Sequence, residues 1–217
     1  MLPALSLLET RVLGVLIEKQ HTVPDSYPLT LNALVSGCNQ KTARDPVMEA
    51  TEAEVQMALD HLKSLSLVME SSGGRVMRYA HNAGKGLGLP PQSVALLAVL
   101  FLRGPQTPGE LRINSERLHK FGDLLSVEAF LTELAEKPWV RELTRAPGAR
   151  ETRWMHLLSG EPKPGTEPDF PPDGKQGSVP GFSDVATLQA NVDRLQGEVD
   201  QLKETVARLC RELGVRP

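Results

Sequence analysis

The stretch from Thr51 to His81 most constrains what this chain can fold into, because it reads as one helix running straight into a two-stranded hairpin. Thr51 is a good N-cap, and Glu54 three residues later completes a capping box that satisfies two otherwise orphaned backbone N–H groups. Val55, Ala58, Leu59, Leu62 and Leu65 recur at helical spacing as one buried stripe, with Gln56, Asp60 and Lys63 on the opposite face. After Leu67 the pattern changes to Val68 and Glu70, a Ser71-Ser72-Gly73-Gly74 turn, then Arg75 to Ala80, where basic residues alternate with Val76 and Tyr79. A polar-faced helix followed by a basic hairpin is the second half of a winged helix-turn-helix, so its first half is expected just upstream.

Upstream, Leu5 to Gln20 carries Leu8, Val12, Val15 and Leu16 at helical intervals, with Glu9, Arg11, Glu18 and Lys19 on the other side. Pro24 and Pro28 make His21 to Pro28 extended, a candidate for the short first strand of a winged domain. Leu29 to Ser36 is a second helix with Leu31, Leu34 and Val35 buried and Gly37 ending it. The connection to Thr51 is longer than a helix-turn-helix turn, and a long loop inside a small domain is more often functional than idle.

That loop carries a resemblance. Cys38-Asn39-Gln40-Lys41, then Arg44-Asp45-Pro46-Val47-Met48, then Thr51-Glu52-Ala53-Glu54-Val55 with Ala58-Leu59 resembles the YceH family of uncharacterised bacterial proteins, over at least Leu5 to Leu158. The resemblance implies two winged-helix domains in tandem and no established activity.

The residues downstream repeat the order of elements. His81 to Pro91 reads as a linker rich in glycine. Gln92 to Arg103 is a strongly apolar helix, Gly109 to Ile113 a short one, and Val127 to Glu136, N-capped by Ser126, the counterpart of the helix at Val55. Trp139 to Leu143 and Arg150 to Leu157 form a second wing. Ser159 to Gly181 is rich in Pro, Gly and acids, a tether. Beyond it Val185, Leu188, Val192, Leu195, Val199, Leu202, Val206, Leu209 and Leu213 alternate steps of three and four, with Val mainly at a and Leu mainly at d, the combination that favours a parallel two-stranded coil. The alternative is an amphipathic helix packing back on its own chain. The expected fold is therefore mainly α with small β-hairpins (α+β): winged-helix domains at 1–82 and 90–158 joined by a linker at 83–89, a tether at 159–182 and a heptad helix at 183–214.

The 217 residues suffice for two small cores, and the two cysteines, Cys38 and Cys210, suit free thiols in a reducing, cytoplasmic compartment. Cys38 is read as a small buried residue. The five histidines show no metal-ligand spacing and are taken as surface or cap residues. Gly84-Lys85-Gly86-Leu87-Gly88 lacks the order of a phosphate loop. No catalytic constellation, metal or cofactor is implied, so an enzyme is not expected.

Function then rests on cations. Lys41 and Arg44 on the long loop, Lys63 on the helix, and Arg75 and Arg78 on the wing surround one docking face of a winged helix; each suits a phosphate, and Gln56 a base edge. In the second half Arg112, Arg117, Lys120, Arg150 and Arg153 are the counterparts, beside Arg141 and Arg145. Against this, Glu52 and Glu54 occupy the first turn of the recognition helix, the net charge is -3, and residues 1–82 hold seven Lys/Arg against nine Asp/Glu. Residues 83–158 hold ten against eight, so any contact with DNA weighs at least as heavily on the second half. Two readings follow: a dimeric regulator whose tandem winged helices lie along double-stranded DNA, and a scaffold whose winged helices grip a protein segment instead. The heptad seam makes a homodimer the expected assembly, which light scattering of the chain truncated at Ser159 checks. Loss of the dimer is expected; an unchanged oligomer removes the heptads from the account.

Overall fold

The computed structural model describes residues 3–72, 76–145 and 151–161. They form an α+β fold in which helices dominate and two small antiparallel sheets lie at the sides. The seam from Val185 to Leu213, with Cys210, Arg75 and Arg150, lies outside the described residues.

The first helix, α1 (Leu7–Thr22), starts at Ser6, whose side chain accepts from the Glu9 backbone while the Glu9 carboxylate accepts from the Ser6 N–H at 2.6 Å. It stops ahead of Pro24, where a single 3-10 turn (Pro24–Ser26) replaces the expected extended piece. The strand comes later: β1 (Leu29–Thr30) precedes α2 (Leu31–Cys38), because Thr30 is needed as the N-cap of that helix. Next are α3 (Glu52–Ser64), β2 (Val68–Ser71) and β3 (Arg78–His81), and the sheet runs in the order β1-β3-β2. The capping box of Thr51 and Glu54 and the buried stripe Val55, Ala58, Leu59 and Leu62 stand as expected, while Leu65, the last of the expected stripe, is the C-cap and only half-buried.

The segment expected as a linker holds a short helix, α4 (Ala83–Leu87), which buries Ala83 and Leu87 and ends at Gly88 with φ +65°. A glycine-rich string still folds here because its two apolar residues sit one turn apart and both reach the core. Then come α5 (Pro91–Arg103), α6 (Pro108–Asn114), α7 (Leu124–Glu136), β4 (Val140–Glu142) and β5 (Trp154–His156). The last helix starts earlier than its apolar pattern suggests, because Asp123 takes the cap by accepting from the Ser126 N–H at 2.8 Å.

The order of elements occurs twice, and the match extends to pairing. Leu29 pairs with Tyr79 of β3, and Gln106 with Trp154 of β5; Thr30 and Thr107 then follow as the N-caps of α2 and α6. Each two-stranded hairpin thus has a third partner on the same edge.

One apolar core runs through both halves. At its centre α1 is buried on every side from Glu9 to Ile17, not on one face as its periodicity suggests, because α5 packs on it in addition to α2 and α3. Gly14 lies at the crossing, where a Cβ would stand 3.0 Å from the Phe101 Cβ, a tighter contact than most side chains make. The Leu5 N–H, donating to the Leu158 carbonyl at 2.7 Å, ties the start of the first half to the end of the second.

Candidate interaction surfaces

The long loop between α2 and α3 is built inward. Asn39 spans it, accepting from the Ala50 N–H and donating to the Ala50 carbonyl, both at 2.8 Å. The Asp45 N–H donates to the Leu102 carbonyl of α5 at 2.8 Å. Arg44, expected on a docking face, is instead buried with no solvent exposure of its side chain. Its guanidinium donates to both Glu18 oxygens at 3.2 and 2.6 Å, to Gln40 at 2.6 Å, and to the Gly37 and Ala43 carbonyls. That uses all five donors, so nothing is left for a phosphate. The burial follows from Glu18 on α1 offering a carboxylate in the planar fork that suits arginine.

Arg11 went unnoticed in the sequence as a buried group. Its side chain, fully enclosed, donates to the Cys38 carbonyl at 3.3 Å and the Pro46 carbonyl at 2.8 Å, leaving Nε without a partner. The available signal was that Val12, Leu13, Val15, Leu16 and Ile17 wrap more than one helix face, which means two-sided burial. Cys38 is enclosed here as expected; burial pushes its thiol up to about 12, against the pull of the Arg11 and Arg44 charges, so it is no thiolate.

The other candidates divide. Lys41 is exposed on the outside of the loop. Gln56 is occupied, donating to Asp60 at 3.1 Å and accepting from the Tyr79 hydroxyl at 3.2 Å. Lys63 is closed between Asp60 at 2.9 Å and Glu70 at 2.6 Å, which push its pKa up. Arg78 is exposed but donates to the Pro28 carbonyl at 2.7 Å. In the second half Arg153 pairs with Glu110 at 2.8 Å, whereas Arg112, Arg117 and Lys120 are exposed on α6 and the turn after it. The structure thus brings the last three to one corner and spends Arg44, Lys63 and Arg153 inside the chain.

The helix faces are acidic. The exposed residues of α3 include Glu52, Ala53, Glu54, Met57 and Asp60, and those of α7 include Glu128, Ala129, Thr132, Glu133 and Glu136. No Lys or Arg occurs in α7 at all. Among the described residues no three His, Cys, Asp or Glu side chains stand close enough to hold a metal ion. Two histidines depart from the surface role expected of them: burial depresses both His81 and His156 to about 4, with the His21 charge adding to it at His81, so both rings are neutral near pH 7. An open cleft of about 420 Å³ between α7 and the second sheet has Pro138, Val140, Trp154 and Leu157 in its wall, and its Arg141 is held by Glu161 at 2.5 Å. No helix among the described residues is long and apolar enough to cross a membrane.

The family described as "Protein of unknown function, DUF480" matches residues 5–149, which take in the loop, α1 and the greater part of both halves. The chain belongs to that family. A UPF0502 protein of Paraburkholderia phytofirmans is 59% identical over 220 residues, covering 98% of this chain and 90% of its own. A UPF0502 protein of Dechloromonas aromatica is 56% identical over 215 residues, covering 97% of this chain and 98% of its own. The match agrees with the resemblance that the loop string carries; of that string, Asn39, Gln40 and Arg44 are engaged in internal hydrogen bonds, while Lys41, Asp45, Pro46 and Val47 are exposed.

The Glu18 carboxylate yields a pH prediction. Burial works to raise its pKa, but the hydrogen bonds and charge of Arg44, aided by Lys19, outweigh burial and hold it below the usual 4.5. A carboxyl whose pKa is depressed on folding contributes stability that is present above 4.5 and lost as pH falls through the folded value. Glu18→Gln is therefore expected to flatten the dependence of unfolding free energy on pH below 4.5, read by denaturant titration followed by circular dichroism. A slope unchanged by the substitution would show that the pair carries no linkage.

Proposed function

We propose that the two halves are winged-helix units in tandem and that this DUF480 protein is a binding module that grips a basic protein segment, not a reader of DNA and not an enzyme. The tandem reading is supported by the repeated order of elements and by the matching third partners, Leu29 on β3 and Gln106 on β5. In such units α3 and α7 are the helices that approach a ligand. The observation that carries the functional reading is the sign of their outward faces: Glu52 and Glu54 on one, where Asp60 and Lys63 are already paired with each other, and Glu128, Glu133 and Glu136 on the other.

Carboxylates at those positions repel phosphates and attract cations, so complementarity points to lysine- and arginine-rich partners. Met57, 71% exposed in the middle of the α3 face, adds a flexible apolar contact of the kind adaptable protein-binding surfaces use. The heptad pattern of residues 185–213 extends the proposal to a homodimer presenting two copies of each face.

Fluorescence anisotropy of the full chain with a labelled lysine-rich helical peptide, run beside a random DNA duplex, tests this. The peptide is expected to bind at low salt and to lose about tenfold in affinity when Glu52→Lys and Glu128→Lys are combined. The duplex is expected not to bind. Duplex binding that falls steeply with added salt, or peptide binding indifferent to the charge reversals, would overturn the proposal.

A further inference from the structure

The N-terminal end of α7, one turn before Glu128, differs in character from the rest of that helix. The end of α6 and the start of α7 are held together, with the Arg112 guanidinium donating to the Gly122 carbonyl at 3.3 Å. Three aliphatic side chains are exposed there: Ile113 at 63%, Leu124 at 38% and Leu125 at 72%. Folding gives no reason for them. Leu124 and Leu125 fill the first turn of α7, where the helix favours acidic side chains, and α7 has none there. Val127, Leu131 and Leu134, not these two, supply the buried face.

Cations flank the aliphatics. Arg112, Arg117 and Lys120 are exposed, and none of them is in an ion pair among the described residues, whereas Lys63, Arg44, Arg141 and Arg153 all are. Of the carboxylates nearby, Asp123 caps α7 on the Ser126 N–H and hydroxyl and also feels the Arg112 charge, while Glu116 and, one turn along α7, Glu128 are exposed. The positive end of the α7 dipole points the same way.

We propose that this corner is a docking site for an acidic amphipathic segment of a partner protein, whose apolar side chains cover Ile113, Leu124 and Leu125 while its carboxylates meet Arg112, Arg117 and Lys120. Charge complementarity selects the occupant. DNA would use the cations, which suit phosphates and guanine edges alike, but it would leave Ile113, Leu124 and Leu125 against a charged backbone with no apolar cover. An anionic bilayer would use the cations, but a stable surface attachment needs a larger basic cluster or a longer apolar face. The site does not depend on the acidic-face reading, and different residues report on it.

The test uses the full chain and a labelled helical peptide with glutamates on one face and leucines on the other. Controls are the same peptide with serine for leucine, vesicles containing phosphatidylserine, and a random DNA duplex. The acidic peptide is expected to bind. Leu125→Glu, or Arg117→Glu combined with Lys120→Glu, is expected to weaken it by about tenfold with no change in melting temperature, since these side chains face water. The serine peptide is expected not to bind, and Glu52→Lys is expected to leave acidic-peptide binding intact. Binding indifferent to Leu125 and Arg117, or stronger attachment to vesicles or duplex through the same residues, overturns the assignment.

Discussion

A guanidinium with no solvent exposure, clasped by a carboxylate on the first helix, is the contact on which the first half depends. Arg44 and Glu18 are far apart in sequence, and their pairing draws the long loop onto α1. Once there, the loop gives its backbone to other groups: Arg11 takes the Cys38 and Pro46 carbonyls, and α5 takes the Asp45 N–H. A loop of this length would otherwise pay a large ordering cost with little apolar surface to offset it. Polar contacts made in a low-dielectric interior do the ordering, and each is valuable because leaving any partner unpaired there is costly.

This arrangement changes what the family resemblance means physically. A string with Lys41, Arg44 and Asp45 invites a ligand-binding reading, and loops often deserve one. Here Arg44 faces the interior and Lys41 the solvent, so Arg44, with Asn39 and Gln40, ties the loop to α1 and α2 while Asp45, Pro46 and Val47 stay outside. Charge available to partners is then found elsewhere, on helix faces that are acidic and on the corner where α6 meets α7. Among the described residues, exposed carboxylates therefore cluster on α3 and α7 and unpaired cations near the end of α6.

Local pattern made much of this legible. The Thr51 cap, the stripe on α3 and the hairpin that follows depend on residues within a few positions of one another, and all three stand in the structure. Burial of Cys38 was equally readable. What escaped the sequence was long-range. Periodicity within α1 places Arg11 and Glu9 on a polar face, because the helix that encloses α1, namely α5, lies some eighty residues on and leaves no record in that pattern. The same holds for Arg44, whose exposure depends on where Glu18 ends up. In α4 the glycines masked two apolar residues one turn apart, and at α7 the Asp123 cap outcompeted Ser126, three residues further on. Each miss is a case where tertiary contact or a stronger cap overrode the local signal.

A double-mutant cycle on Arg44→Met and Glu18→Leu, read as unfolding free energies, tests the central contact most directly. Glu18→Leu strands a fully enclosed guanidinium and is expected to cost roughly 3–5 kcal/mol. Arg44→Met, which leaves Glu18 half-buried beside Lys19, is expected to cost less, and the double variant is expected to recover a large part of the Glu18→Leu loss. Strictly additive losses would contradict the account, because they would mean that Arg44 and Glu18 act independently and that the loop is held by something else.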